Sequence, residues 1–507
     1  MFDATTTVAG NITVYAQWTI NTYTVTFDKN GGDTDASPTS KTVTVPATTI
    51  DALPTQPARL GYTFGGWNTK DDGTGTVFDE TTLVTADITV YAQWNPLPHY
   101  FTFTVRTTTA NETFALPTSG QLNGSSAKSY TWNIDWGDTQ SETASGASSN
   151  NSAGISHTYS SPGDYRITIT PNGNTNAWLG AFGFADNTGG ANAQTNKNKV
   201  ISVDSPLTLL MTRTQAQISA GTAPTHEWAF TFSNCKNPAF KMGTNFKFAA
   251  EWDTITTVGD WFASSMFAWC SGADFTMNSV FNLPPGITTV GNVFVSTMFY
   301  ECSGADFTMN SVFNLPPGIT TVGNTFVSDM FRGCSGAVFT MNSVFNLPSG
   351  ITTVGNYFAT NMFRGCSGAD FTMNSVFNLP PGITTVGNTF VGAMFYECIG
   401  ADFTMNSVFN LPPGITTVGN AFVINMFNFC GPNFQVNAVF KFPVLSQTEA
   451  NRTEVFNGTF FLSNSTAVQT RTAASIINGN PNPGVDKNTF GPAGAWTDYG
   501  SIHANWK

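Results

Sequence analysis

The stretch "MFRGCSGADFTMNSVFNLPPGITTVGN", residues 362–388, decides the fold of this chain because it recurs almost letter for letter. Copies follow one another every 32 residues, and they begin at Met266, Met298, Met330, Met362, Met394 and Met426. Such a period is typical of stacked coils, since a single repeat cannot bury its apolar face alone. The sequence therefore predicts a solenoid of 32-residue coils.

Each copy also predicts its own local structure. The letters "ADFTM" and "ITTVG" favour two short strands, and "LPPG" favours a turn. The segment "NTFVSDMFRGC", residues 324–334, has apolar letters at helical spacing and predicts a short helix of one to three turns. These apolar letters are the predicted core, because burying one such side chain is worth about 1.5–3 kcal/mol.

The seven cysteines raise the question of chemistry. Six keep the 32-residue spacing from Cys270 to Cys430, and Cys235 lies 35 residues before the first of them. Stacking at about 4.8 Å would bring neighbouring cysteines within disulfide range, but equivalent side chains in a stack point the same way. We expect a ladder of buried, reduced thiols. We expect no metal site, since no Cys-x-x-Cys or adjacent histidine occurs.

The sequence gives little sign of a catalytic site. The four histidines do not recur with the cysteines, and they are His99, His157, His226 and His503. Paired carboxylates for glycoside hydrolysis would lie about 5–9.5 Å apart. The aspartates that repeat in "GADF" are Asp306, Asp370 and Asp402, and one copy has Val338 instead. We expect no enzymatic activity, no catalytic residue and no cofactor; a glycan-active enzyme stays the second alternative.

Charge and composition narrow the class of partner. Only 10% of the 507 residues are charged and the net charge is −12, so no positive field attracts nucleic acid. No run approaches the ~18 apolar residues of a membrane-spanning helix, and the first residues lack a signal-peptide pattern. We expect no membrane insertion and an extracellular or cell-surface location, with the secretion signal in a longer parent chain.

The positions at which the copies disagree identify the candidate binding surface. The two residues before each repeating cysteine vary from coil to coil, and so does the residue after "VGN". Packing does not fix such letters, so we expect them to face solvent, where Tyr, Trp and Arg are the residues enriched at binding sites. Neutral drift explains the variation equally well. The candidate ligand-binding residues are Trp269, Tyr300, Glu301, Arg332, Tyr357, Arg364, Tyr396, Glu397 and Phe429.

A second kind of repeat occupies the start of the chain. The segment "FDATTTVAGNITVYAQW" at residues 2–18 returns at residues 78–94 with 12 of 17 letters identical. The letters "VTFDKNGG", "GYTFGGWNT" and "ITVYAQW" resemble the Listeria–Bacteroides repeat, or B-repeat, of bacterial surface proteins. The resemblance implies a small β-grasp fold that serves as a stalk or spacer without enzymatic activity.

A third pattern follows the linker "NPLPHY". The stretches "IDWGDTQSE" and "SHTYSSPGDYRITI" resemble those of a PKD-type, Ig-like β-sandwich. We expect its motif residues to fix a tight turn and to satisfy a buried polar edge. They are Trp136, Gly137, Asp138, His157, Thr158, Tyr159, Pro162, Gly163 and Tyr165.

The 32-residue copies themselves are similar to BspA-like leucine-rich repeats of bacterial surface proteins, although this period is longer than the family's usual one. The matching letters in one copy are Leu379, Pro380, Ile383, Thr384, Val386, Gly387, Phe390, Met394, Phe395 and Cys398. The resemblance implies an adhesin that binds a host or neighbouring-cell protein or glycan through the solenoid surface. The first alternative is a structural spacer without a specific ligand.

Together these patterns predict a multi-domain, mainly β protein that ends in an α/β leucine-rich-repeat solenoid. The predicted boundaries are 1–20 for the tail of a truncated B-repeat, 21–95 for a complete B-repeat, 96–173 for the PKD-like sandwich, 174–265 for diverged first coils, 266–430 for near-identical coils, and 431–507 for diverged last coils and a cap.

Overall fold

The computed structural model describes most of the first 430 residues and a few short segments after them. The described residues are 2–59, 62–96, 99–119, 127–149, 153–173, 176–184, 190–272, 282–303, 308–309, 315–335, 340–341, 348–367, 372–373, 380–399, 404–405, 409–410, 412, 414–415, 418–430, 440–441, 460–461, 490–491 and 493. The chain forms two units, Met1–Pro98 and His99–Lys507.

A mixed five-stranded sheet forms the first unit. Its strands are β1 (Thr22–Asp28), β2 (Ser40–Thr44), β3 (Tyr62–Asn68), β4 (Val77–Phe78) and β5 (Ile88–Pro96). The order is β2-β1-β5-β3-β4, in which β1 and β5 are parallel and the other pairs antiparallel. A parallel central pair fits the β-grasp resemblance, but residues 45–59, between β2 and β3, contain no helix.

Side chains along these strands alternate between buried and exposed, so one face of the sheet packs into the core. Trp67 is buried and meets Phe27 edge to face, with ring centroids 5.0 Å apart. Residues 2–21 repeat the letters of β4 and β5 without forming a strand, and Trp18 is 90% exposed. The reason is that strands equivalent to β1 and β3, which pair with β5 in the complete copy, are not among those residues.

The second unit begins with a two-sheet sandwich. Its strands are β6 (Phe101–Thr107), β7 (Glu112–Leu116), β8 (Ser129–Asp135), β9 (Ser141–Ala147), β10 (Ile155–Tyr159), β11 (Gly163–Pro171), β12 (Val200–Val203) and β13 (Lys241–Met242). One sheet is β10-β7 and the other is β13-β12-β6-β11-β8-β9.

The sandwich sheet continues into the region predicted as diverged coils. Strand β12 pairs antiparallel with β6 and parallel with β13. The sandwich and the coils therefore share one hydrogen-bonded sheet. The boundary at residues 173–174 stays a prediction, and the sheet crosses it.

Helices are few and short in the described residues. They are α1 (Gln194–Lys197), α2 (Leu209–Thr212), α3 (Gln215–Ser219) and two 3-10 turns at Gly190–Asn192 and Ala250–Thr254. All of them lie in the second unit before the near-identical coils, so the described part of the chain is mainly β.

Short strands occur in the near-identical coils and on both sides of them, and they include the two predicted kinds. These are β14 (Thr257–Val258), β15 (Thr289–Val290), β16 (Thr308–Met309), β17 (Thr340–Met341), β18 (Thr372–Met373), β19 (Thr404–Met405), β20 (Phe409–Asn410), β21 (Phe440–Lys441), β22 (Phe460–Phe461) and β23 (Phe490–Gly491). Strands β16 to β19 form one parallel sheet, in which Thr308, Thr340, Thr372 and Thr404 are in register.

We call residues 226–430 the coil stack, because equivalent side chains lie above one another along it. Two columns of phenylalanine rings run through its core with nearly parallel planes. Centroids are 5.3–5.7 Å apart in the column from Phe262 to Phe422. They are 5.5–6.2 Å apart in the column from Phe232 to Phe427.

The predicted helix in each coil is wrong. In residues 293–302 the chain forms consecutive turns, and Val293, Thr297 and Glu301 have left-handed φ values. These three residues donate their amides to carbonyls of the next coil, over 2.7–3.1 Å. A helix would direct them to its own carbonyls, and its diameter of about 10 Å cannot fit between rings stacked at half that distance. Ring stacking and the inter-coil ladder therefore override the helical spacing of the letters.

Candidate functional site

Two neighbouring surface positions precede the cysteine of every coil. The second of them has a left-handed backbone in all six near-identical coils, with φ between +50° and +69°, at Trp269, Glu301, Gly333, Gly365, Glu397 and Phe429. Glycine adopts this conformation without strain, and two coils use it. The larger side chains in the other coils are therefore not required by the backbone.

All nine candidate binding residues are exposed or half-buried, as the variation among copies predicted. Tyr357 is 49% exposed and Phe429 36% exposed. Ala268, which occupies the first variable position in its coil, is the exception and is fully buried. Its methyl group does not extend past the surrounding chain as a tyrosine or arginine at the same position does.

The first four candidate residues form one contact group, which we call the Trp269 cluster: Trp269, Tyr300, Glu301 and Arg332. The Trp269 indole Nε1 donates to the Glu301 carboxylate at 3.0 Å, and its ring meets the Tyr300 ring edge-on at 5.1 Å. The Arg332 guanidinium lies 5.4 Å from the Tyr300 ring centroid. Three successive coils thus present one joined aromatic and charged surface.

A second group, the Phe429 cluster, has the reverse order along the stack: Arg364, Tyr396, Glu397 and Phe429. Arg364 lies 4.6 Å above the Tyr396 ring and is 3.2 Å from the Glu397 carboxylate. The Tyr396 and Phe429 rings meet edge-on at 5.3 Å. Contact with charged neighbours holds these long side chains in place.

Between the clusters lie Gly333 and Gly365, in adjacent coils. A methyl group added to Gly365 would meet only the Gly333 backbone, at 3.9 Å or more, so the surface here is open. Arg332 leans toward one cluster and Arg364 toward the other. The result is a shallow gap flanked by two guanidinium groups and, beyond them, by two groups of rings.

Local electrostatics affect the tyrosines of both clusters. Partial burial raises the pKa of Tyr300, and a hydrogen bond with Glu301 raises it further. Partial burial and the Glu397 charge raise the pKa of Tyr396. Both phenols are therefore neutral hydrogen-bond donors at physiological pH.

Beneath this surface lies the cysteine ladder. All seven cysteines are free and buried. From Cys270 onward each thiol donates to a phenylalanine carbonyl of the preceding coil, as Cys366 does to Phe331 at 3.1 Å. Burial raises the pKa of each thiol, to about 12 for Cys270. These thiols connect coils and have the low reactivity of buried cysteines.

Sequence reasoning missed the ion pair at the start of the stack. Glu227 occupies the position that Phe262 and Phe294 hold in the next coils, and its carboxylate forms a two-pronged pair with Arg213 at 2.7–3.1 Å. Both side chains are essentially buried. Arg213 lies outside the repeat and its guanidinium stacks on Trp252, 5.2 Å from the ring centroid. Only the replacement of a core phenylalanine by glutamate could have indicated it.

The sandwich motif residues have the structural role that the sequence indicated. His157 bonds Asp138 at 2.8 Å and stacks on Trp136, with ring centroids 4.8 Å apart. The Tyr159 hydroxyl donates to the Trp136 carbonyl at 3.1 Å. Gly137 has φ +80°, and a methyl group there would lie 2.6 Å from the Arg166 carbonyl oxygen. The motif fixes a turn against β11.

Three further features bear on metal binding, membrane crossing and acid–base chemistry. Within them, no three His, Cys, Asp or Glu side chains are grouped as metal ligands would be. None of their helices has the length and apolar character needed to cross a bilayer. The repeated aspartates and one histidine fall outside the described residues: Asp306, Asp370, Asp402 and His503.

Comparison with known families supports the first two modules. Residues 23–93 match the Listeria-Bacteroides repeat domain, and residues 102–179 match the PKD domain. Both are non-catalytic modules of the surface-protein type. The chain is thus a β-rich, multi-domain protein that carries a Listeria–Bacteroides repeat and a PKD domain.

Individual relatives share a small part of the chain. Internalin H of Listeria monocytogenes is 39% identical over 98 residues, which are 18% of this chain and 16% of that protein. A protein of Evansella cellulosilytica, named as a membrane protein, is 38% identical over 93 residues, 18% of this chain and 14% of its own length. The chain thus covers less than a fifth of these relatives. No solved structure matches significantly.

Proposed function

We propose that this chain is a cell-surface or secreted adhesin whose coil stack is a BspA-like leucine-rich-repeat solenoid. Its variable surface, the Trp269 and Phe429 clusters with the glycine gap, binds a host or neighbouring-cell protein or glycan. Tyr357 lies on the same stack and adds an exposed ring. Binding is the sum of weak contacts spread over several coils.

One observation carries the proposal: the core is nearly the same in every coil, while the surface residues differ and still contact one another. Trp, Tyr and Arg, the residues most often found at binding hot spots, make up much of both clusters. Neutral drift would scatter such residues without joining them by a hydrogen bond, an ion pair and two cation–π contacts.

The surface location rests on the modules that accompany the stack. The Listeria–Bacteroides repeat and PKD matches are of the surface-protein type, and the relatives are named Internalin H and a membrane protein. The first unit then acts as a spacer that carries the stack away from the cell. The two modules give no support to a glycan-active enzyme.

The test replaces Tyr300, Arg332, Arg364 and Tyr396 together with alanine in the full chain. Attachment of protein-coated beads to host matrix should fall at least about tenfold, because each hot-spot residue is worth more than about 1 kcal/mol. The matched control replaces four exposed threonines on another part of the coils, Thr288, Thr320, Thr352 and Thr384. It should attach normally.

Two results would reject this assignment. Equal attachment by the wild type and the fourfold variant would remove the clusters as the binding surface. Absence of attachment to matrix, host cells and neighbouring bacteria would leave the spacer alternative, in which the whole chain is a stalk. Protease and glycosidase treatment of the target surface then separates a protein partner from a glycan.

A further inference from the structure

A cleft lies where the sandwich meets the first coil, away from the two surface clusters. Its enclosed volume is about 30 Å³, and it opens to solvent on one side. The sandwich side contributes Lys128, Leu179 and Phe182, and the first coil contributes His226 and Trp228. Thr212, Thr225 and Thr231 also line the cleft, so it combines apolar side chains with several polar groups.

The first coil departs from its successors at the cleft. The backbone amide of Phe230 donates a hydrogen bond to the Ser264 carbonyl, and that of Phe232 donates to the Met266 carbonyl. This pattern aligns Trp228 with Ala263. The later coils have only alanine or valine at that position, at Ala263, Val295, Val327, Ala359, Val391 and Val423. Packing within the stack needs a small apolar side chain there, so the indole of Trp228 is not explained by the repeat.

The polar atom of that indole is unsatisfied. Trp228 is only 5% exposed, and its Nε1 is buried without a hydrogen-bond partner. An unpaired buried donor costs about 1–3 kcal/mol. His226 beside it also has a buried, unpaired Nδ1, and its ring stacks on Trp261 with centroids 5.5 Å apart. Burial lowers the pKa of His226, so its ring is neutral at pH 7.

Two residues with charged side chains line the cleft, Lys128 and Glu227. The Lys128 side chain passes over Gly180, and its ammonium has no acceptor among the described residues. Glu227 also lines the cleft, but Arg213 pairs with its carboxylate. Asp260 lies near His226, and its carboxylate accepts the Asn292 amide at 2.6 Å. The unsatisfied groups are thus an ammonium, an indole N–H and an imidazole nitrogen.

We propose that this cleft binds the carboxylate group of a small ligand, with Lys128 supplying the charge and the Trp228 indole donating a hydrogen bond. The His226 ring nitrogen adds a second donor, and Leu179 and Phe182 contact the ligand's carbon atoms. The site is independent of the surface clusters. The carboxylate comes from an acidic sugar or from a peptide C-terminus, which share this chemistry.

Calorimetry and tryptophan fluorescence on the full chain test the site. The probes are glucuronate with glucose as its uncharged match, and triglycine with triglycine amide as its match. At least one carboxylate probe should bind saturably while its match does not. Lys128→Met should weaken binding by at least about tenfold, because a charge-assisted contact is lost. Which probe binds identifies the source of the carboxylate.

Two further variants keep the test decisive. Trp228→Phe keeps a ring and removes the N–H, so it should also weaken binding while circular dichroism stays that of the wild type. Lys70→Met, in the first unit, is the matched control and should bind normally. Failure of both carboxylates, equal binding of a match that lacks the carboxylate, or unchanged affinity of Lys128→Met would overturn the site. The Trp228 N–H would then be bonded to a structural water.

Discussion

Two regions of the second unit bury their cores in different ways. One is the sandwich together with the first coil, and the other is the later coils, residues 261–430. In the former each contact occurs once: the Trp136–His157 stack and the Arg213–Glu227 pair have no second copy. In the latter the core contacts recur, from the phenylalanine columns to the thiol ladder. Loss of a single-copy contact affects the whole junction. Loss of a repeated contact affects its own coil and the two neighbours, as in other repeat proteins.

The column that starts at Phe262 shows where one kind of core gives way to the other. In the later coils its rings stack on equivalent rings. The residue equivalent to Phe262 in the first coil is Glu227, and Phe248, which does not hold that position, stacks on Phe262 at 6.0 Å. The repeated position thus ends in a polar, paired residue, while the non-repeated Phe248 covers the face of the first repeated ring. The junction therefore depends on Arg213, a residue outside the repeat.

The largest expected effect is collective and comes from alkaline pH. Burial raises the pKa of all seven thiols, for Cys270 from an ordinary 9.0 to about 12. A raised folded-state pKa gives stability that is present below pH 9 and is lost as pH rises toward the folded-state value. Each thiol contributes up to about 1.4 kcal/mol per pH unit. The coil stack should therefore unfold steeply above pH 9.

Hydrogen exchange measured at several alkaline pH values separates the regions. Amides of the coil stack should lose protection, whereas those of residues 22–96, which contain no cysteine, should not. Replacing Cys334, Cys366 and Cys398 with serine, which does not titrate in this range, should reduce the slope. Equal loss of protection in both regions would refute the assignment to thiols.

The next effect belongs to the single-copy ion pair. Arg213→Met should lower the free energy of unfolding of the second unit by about 3–5 kcal/mol, because the Glu227 carboxylate stays buried without a partner. Chemical denaturation followed by tryptophan fluorescence measures this loss. The matched variant Arg213→Met with Glu227→Gln has no buried charge and should recover most of the stability. A loss below about 1 kcal/mol in the single variant would show that water reaches the carboxylate.

Part of this comparison could be predicted from the sequence. The 32-residue period indicated the stack, and the constant and varied letters separated Cys366 and Phe363 in the core from Arg364 at the surface. The helix failed because inter-coil hydrogen bonds override local spacing. Glu227 stands out in the sequence only as a departure from the repeat, and its pairing with Arg213 could not be predicted, since the two residues lie in segments that share no repeat pattern.

A smaller effect tests one rung of the thiol ladder. Cys366→Ala removes the donor to the Phe331 carbonyl and should cost about 1–2 kcal/mol, because that carbonyl keeps its other bond from the Cys334 amide. Cys366→Ser retains a donor and should cost less. Denaturation midpoints measure both. In the wild type a thiol reagent should label Cys366 only after unfolding, and rapid labelling of the folded chain would contradict its burial.

The smallest effect concerns a ladder on the surface. The side-chain oxygen of the "VGN" asparagine accepts a hydrogen bond from the backbone N–H of the equivalent asparagine in the next coil. Asn356, for example, accepts from Asn388 at 2.7 Å. These residues are partly or fully exposed, so water replaces a lost partner. Asn356→Ala should therefore cost only about 0.5–1 kcal/mol, and faster hydrogen exchange should be confined to the Asn388 amide and its neighbours.

Aspartate is the matched replacement, because the first rung already has one: Asp260 accepts the Asn292 amide at 2.6 Å. Asn356→Asp keeps the acceptor oxygen and should leave the exchange rate at Asn388 close to that of the wild type. If the alanine variant instead accelerated exchange in every coil from 261 to 430, the later coils would unfold as one cooperative body. The distinction between single-copy and repeated contacts would then not hold, since a change in one coil would be shared by all of them.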